Sequence, residues 1–180
     1  MAFPQLTTEQ VEHLSAAVAQ FIASKREAYL PQSVPLTWEQ RLAMEGFFLH
    51  VVIDRTRLVV LQNRRVQNPD FYPELRQLGF NNLPDFGTMI AITFGNVVVS
   101  HQPFTHGVLF HELVHVEQYR QLGIVEFSNL YVRGLLTEGG YEDIPLEKNA
   151  YILGARFEAN PQQHFSVSDK VTEWIRHDRF

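Results

Sequence analysis

His111-Glu112-Leu113-Val114-His115 lies inside a run of apolar residues, and that placement restricts the fold more than any other feature of the chain. From about Thr105 to Leu122 the apolar residues recur with helical periodicity. Val108, Leu109, Phe110, Leu113, Val114 and Val116 surround the three polar side chains, so this helix is apolar nearly all round and belongs in the interior. Two histidines and a glutamate buried there need partners, because an unpaired buried polar group is costly. Histidines at i and i+4 lie about 40° apart around the helix, one turn along its axis. Both imidazoles converge on one point, and a metal cation satisfies them together.

Zinc suits that point. His nitrogen binds it at about 2.0–2.1 Å. The chain has no cysteine, so His and carboxylates must supply every ligand. Glu112, rotated about 100° from His111, misses the ion but reaches a water bound to it. The metal acidifies that water, and the carboxylate takes its proton as it attacks a carbonyl. His111 and His115 are therefore the candidate metal ligands, Glu112 the candidate general base, and Zn2+ the expected cofactor. Four-helix di-iron proteins also use ExxH pairs, but they need two, and this chain has no second.

A third protein ligand is needed. Glu117 lies about 200° from His115 on the same helix and points away. Glu138, Glu142 and Asp143 flank Gly139-Gly140 and would be held loosely. Glu126 has no such placement. Glu147 falls in the first turn of a helix opened by Pro145, with Ala150, Tyr151 and Gly154 on its face; the small pair would let that helix approach the His111–His115 helix closely. The plain alternative is that Glu147 only complements the helix dipole. Glu158 shares the face about 16 Å further along, so only one of the two can bind.

HELVH followed by Val-Glu-Gln-Tyr, then Gly-Gly-Tyr and Pro-Leu-Glu-Lys-Asn-Ala-Tyr, resembles the small bacterial zincin-like domains of the gluzincin group. The resemblance covers roughly Thr88–Phe157. It implies a His-His-Glu zinc site completed by Glu147 on a later helix, and a peptide or protein as substrate. It also implies that a strand within Ile90–Ser100 pairs with substrate along its edge. Gluzincins often carry an acidic residue four positions after the ligand glutamate; here Tyr151 stands there, so the histidines must be supported from elsewhere. Tyr141, just before the Glu147 helix, is a candidate for stabilising the oxyanion, as a tyrosine or histidine does in related enzymes. His101, at the end of the hairpin, is a like candidate for lining the cleft, and Arg133 could hold a substrate carboxylate, although an ion pair is its plainer reading. His106 reads as a surface residue. The competing function is a zincin-fold binding or scaffold protein that does not turn over.

The rest of the chain is consistent with one α+β domain over 1–180: a helical N-terminal part about 7–48, and a core about 57–160 in which a small sheet with a hairpin packs on the HExxH helix and the later ligand helix. Thr7 with Gln10 and Thr37 with Gln40 are capping boxes, opening helices to about Tyr29 and Phe48. Arg57–Gln62 reads as a strand, Asn68–Phe86 as an ordered loop. Thr88–Phe94 and Val97–Ser100, joined by Gly95-Asn96, form a hairpin. Gly123 sits where a helix stops, Phe127–Leu136 is helical again, Pro145 starts a helix to about Ala159, and Val171–Ile175 adds a turn or two. With 45% apolar residues, a core of this size can be filled. A formal charge of −5 gives no reason to expect nucleic acid or an anionic membrane as partner. No signal peptide or spanning run is visible, so a cytoplasmic chain is the expectation.

Overall fold

Both capping boxes form. Thr7 Oγ1 accepts from the Gln10 N–H at 3.2 Å while the Gln10 side chain accepts from the Thr7 N–H at 2.8 Å, and α1 (Thr8–Tyr29) begins there. Thr37 and Gln40 repeat the arrangement at the start of α2 (Trp38–Met44). The computed structural model describes residues 6–137 and 141–180, so Glu138, Gly139 and Gly140 lie outside the described residues.

Helix α2 stops at Met44, short of the Phe48 that its pattern suggests. Gly46 turns the chain with φ +84°, and the His164 ring occupies the space a Cβ would need there. A further short helix, α3 (His50–Arg55), follows without any side-chain cap and is held by burial of Val52 and Ile53. Likewise the proline- and asparagine-rich stretch 68–86 is not all loop. It contains α4 (Tyr72–Gln77), which buries Tyr72 and Leu75.

Three strands form the sheet: β1 (Arg57–Val60), β2 (Ala91–Phe94) and β3 (Val97–Ser100), in the order β1-β3-β2. Strand β1 is parallel to β3 and β2 antiparallel to it through the Gly95-Asn96 turn. The alternation of β3 explains why both sheet faces are covered. Val98 joins one core with Leu58, Leu109 and Leu113, while Val97 and Val99 join another with Ile22 of α1.

Helix α5 (His106–Thr137) is the spine, and it is broken at Gly123, whose φ of 76° and ψ of 165° are not helical. A Cβ at Gly123 would meet nothing within 4 Å, so the backbone angle and not crowding calls for glycine. Helix α6 (Pro145–Ala159) packs against α5, and α7 (Val167–Arg176) closes the first core. The last helix is longer than the expected turn or two, because Ser166 caps it through the Asp169 N–H at 3.1 Å. The architecture is mixed helix and small sheet, α+β as the patterns suggest. Among the described residues no helix is long and apolar enough to cross a membrane.

Candidate metal centre

Helices α5 and α6 bring three donors together. His111 Nε2 and His115 Nε2 are 3.1 Å apart, and Glu147 Oε2 stands 3.5 Å from the first and 3.3 Å from the second. Ligands about 2.0–2.1 Å from a tetrahedral ion stand about 3.3–3.4 Å from one another, so the three edges suit such an ion. The donors themselves point the same way. Glu147 is 4% exposed, and its Oε2 has no hydrogen-bond partner. A buried carboxylate oxygen left open in this way is costly unless a cation takes it. The His111-His115-Glu147 group could hold a metal ion.

Electrostatics in the group are strongly coupled. Burial pulls the His115 imidazolium toward deprotonation, but the Glu147 carboxylate outweighs burial and raises its pKa to about 9. For Glu147 burial pushes upward, and His115 with His111 overrides it, holding the carboxyl well below the usual carboxylate range. Without an ion, one proton on the histidines does part of what a cation would do.

A residue outside the sequence expectation orients His115. Gln118 is wholly buried, its Oε1 accepts from His115 Nδ1–H at 2.8 Å, and its Nε2 donates to the Leu146 carbonyl at 3.0 Å. This amide fixes the tautomer that leaves Nε2 free, and it ties His115 to the residue just before Glu147. Gln118 therefore supplies the support that Tyr151 does not. Tyr151 instead lays its ring against His111, with centroids 4.5 Å apart. A signal for Gln118 existed in the sequence: a glutamine three residues after the second histidine, on a helix with no solvent face.

Glu112 is also held. Its Oε2 accepts from Thr93 Oγ1 at 2.7 Å, across from β2, and Thr93 is itself buried. Glu112 is absent from the ligand triangle, as its angular offset on the helix requires. Tyr141, half-buried in a short 3-10 turn (Tyr141–Asp143), has its phenol pKa raised well above the usual value, first by burial and then by the Glu147 charge beside it.

Two spaces meet at these residues. An open groove of about 360 Å³ is bordered by His111, Glu112, Tyr141, Tyr151 and the Met89–Ala91 backbone region. A smaller, mostly apolar chamber of about 70 Å³ lies behind, reached by Glu112, His115, Tyr141 and Glu147. Because β3 is paired on both sides, β2 is an edge strand among the described residues. Its Ala91 borders the groove, while Ile92, Thr93 and Phe94 are buried and the Thr93 carbonyl accepts from the Tyr119 hydroxyl at 3.4 Å.

Other candidates are placed elsewhere. Glu158 is exposed, with a carboxylate oxygen against the Gly107 Cα, and does not join the cluster. The glycine at a close approach of the two helices is Gly134 of α5, where a Cβ would stand 2.9 Å from Pro145 Cδ, and not Gly154. A Cβ at Gly154 would meet nothing, and the residue borders the groove. Glu142 and Asp143 are exposed, and Glu126 lies on the surface. Glu117 points away from the site but is buried, bonded by Arg120 and Gln121. His101 does not line the groove. Its Nε2 accepts from the Val66 N–H at 3.0 Å and its Nδ1–H donates to the Met89 carbonyl at 2.6 Å, a clamp between two loops. His106 and Arg133 are exposed.

No known protein family, curated protein or solved structure matches this chain.

Proposed function

We propose that this chain is a gluzincin-type zinc hydrolase with a zincin-like fold, acting on peptides, in which His111, His115 and Glu147 hold the ion. The observation that carries this is the triangle of donor atoms at 3.1, 3.3 and 3.5 Å with an open, buried Glu147 oxygen at one corner. Two neutral histidines and one carboxylate would leave a zinc site at net +1. When bound, zinc supplies Lewis acidity toward a carbonyl oxygen and lowers the pKa of water at the site.

The residues of the chain do the remainder. Glu112, positioned by the Thr93 hydroxyl, accepts the proton of the attacking water and returns it to the leaving amine. The Tyr141 phenol, kept protonated by its burial and by Glu147, donates a hydrogen bond to the oxygen on which charge develops. An extended substrate is favoured over a compact one because Met89, Ile90 and Ala91, at the start of the edge strand β2, border the groove and offer backbone groups there.

Two measurements test the reading together. Protein purified without chelators should carry about one zinc per chain by elemental analysis. Glu112→Gln should keep that zinc while hydrolysis of a mixed fluorogenic peptide library falls by roughly 10²–10⁴. Absence of stoichiometric metal overturns the site. Metal with no hydrolysis by the parent chain overturns the enzyme and leaves a zinc-binding scaffold.

A further inference from the structure

Away from the ligand cluster, the cations of this chain are unevenly spread. Arg26 of α1, Arg55 at the end of α3, Arg57 of β1 and Arg120 of α5 border one groove of about 460 Å³ at the hairpin end of the sheet. They are four of the 15 Lys and Arg residues in a chain of formal charge −5, and no carboxylate among the described residues lines the same groove. Val116 and Arg120 lie on α5 just past His115, rotated from it by about 100° and 140°, so this is a different face of the helix.

Crowding four guanidinium groups around one concavity is repulsive, and the surroundings relieve it only in part. Glu117 takes two of the bonds offered by Arg120, Ser168 Oγ accepts a third at 3.4 Å, and Glu27 pairs with Arg26. Arg57 donates to the Asp54 and Thr56 carbonyls at 2.8 and 2.9 Å. Among the described residues neither Arg57 nor Arg55 pairs with a carboxylate, and the nearby Asp54 carboxylate is taken by Arg41.

The rim is also held in place. In the hairpin turn Asn96 accepts from Arg26 Nε at 2.7 Å and donates to the Arg55 carbonyl at 2.6 Å, so one amide sets the spacing of two rim residues. Gly95 has φ +66°, and a Cβ there would stand 3.2 Å from Arg26 Cδ, so glycine is what lets the arginine lie across the turn. Between the cations the groove is lined by Leu30, Val51, Val52, Val116 and Tyr119, of which Val51 is exposed.

We propose that this groove binds an organic phosphate, with the phosphoryl group on Arg55 and Arg57 and an apolar body against Leu30, Val52 and Val116. Guanidinium forks match phosphate oxygens two at a time. The two arginines without a carboxylate balance the charge of about −1.5 to −2 that a phosphate monoester carries at neutral pH. The apolar floor favours an ester over the bare ion, because only the ester buries carbon there.

The test is an amide NMR titration of the full-length protein as purified, at low ionic strength, with phenyl phosphate, inorganic phosphate and benzoate. Saturable shifts centred on Gly95 and Asn96 are expected, with phenyl phosphate binding tighter than inorganic phosphate. Arg55→Gln with Arg57→Gln should weaken phenyl phosphate about tenfold or more. Arg55→Gln alone, at an exposed helix end, replaces the double variant if that one is unstable, and should weaken binding in the same direction. Shifts confined to the residues around His111 would place the anion at the ligand cluster and overturn the proposal. So would no saturable shift, benzoate binding as tightly as phenyl phosphate, or a variant that binds as the parent does.

Discussion

Glu117 and Glu147 are both cut off from solvent, at 1% and 4% exposure, and the molecule treats them in opposite ways. Every oxygen of Glu117 is met. Arg120 donates through Nε and a terminal nitrogen at 2.6 and 2.7 Å, and Gln121 donates at 2.6 Å. Gln121 also donates to the Ser168 carbonyl at 2.9 Å, so this carboxylate helps fasten α5 to α7. Glu147 is left with one oxygen bare, facing two imidazoles that are themselves drawn together. A buried carboxylate with a structural task is surrounded by permanent donors from its own neighbourhood. Glu147 Oε2 has only the two imidazoles, at 3.3 and 3.5 Å, in a group that could hold a metal ion. The difference separates the two sides of α5 better than burial does, since burial is nearly the same on both.

That contrast can be broken most forcefully at Glu147. Glu147→Ala should lose zinc during dialysis against a weak chelator, while Glu158→Ala, altered on the same helix but outside the cluster, should keep it. The reverse result would mean that the ligand helix is read one part too early. Gln118→Ala comes next in size. It leaves the three donors in place but frees the His115 ring, so zinc affinity should fall by about 10–100-fold in a competition titration. Unchanged affinity would reduce Gln118 to a packing residue.

The proton on the histidines supplies a third test. The His115 pKa is raised from 6.5 to about 9 in the metal-free protein. Its contribution to stability is then complete below about pH 6.5 and fades as pH rises through about 9. The depressed Glu147 contributes above its ordinary value of 4.5 and is lost as pH falls below that. Thermal melts of chelated protein should therefore decline on the alkaline side between about pH 6.5 and 9. Zinc-loaded protein should lack that limb, because ligation needs the deprotonated ring. Parallel curves for the two forms would show that metal and proton do not compete for His115. The smallest effect belongs to Glu117. Replacing it with glutamine should cost about 1–2 kcal/mol in chemical denaturation, through poorer bonding to Arg120, with zinc content unaltered. Loss of zinc in Glu117→Gln would erase the distinction between the two carboxylates.

How much of this was legible before the structure depends on how local each feature is. The His111-Glu112-His115 spacing is a property of one helical turn, so their common face and the offset of Glu112 follow from periodicity alone. The hairpin and both capping boxes are equally short-range, and they form as their residues predict. Helices α3 and α4 carry no side-chain cap and exist because Val52, Ile53, Tyr72 and Leu75 find partners from distant segments. No window of sequence contains those partners. Thr93 lies 19 residues from Glu112 and Gln118 lies 28 from Leu146, so neither contact could be read from spacing. His101 misled for the same reason. Its position beside the hairpin end suggests the groove, but its ring is claimed by Val66, 35 residues away, and Met89. Helix α7 was within reach, since Ser166 with Asp169 is a local capping signal.

The vacant space beside Gly154 has a practical consequence for spectroscopy. A Cβ there would touch nothing within 4 Å, its backbone is helical, and it borders the groove shared by His111 and Tyr151. The chain has no cysteine of its own. Gly154→Cys would therefore introduce a solitary thiol at the rim, in a helix that tolerates loss of its glycine. A fluorophore or spin label attached at that position would sit within sight of anything entering the groove, and would report its arrival and departure without disturbing a donor atom.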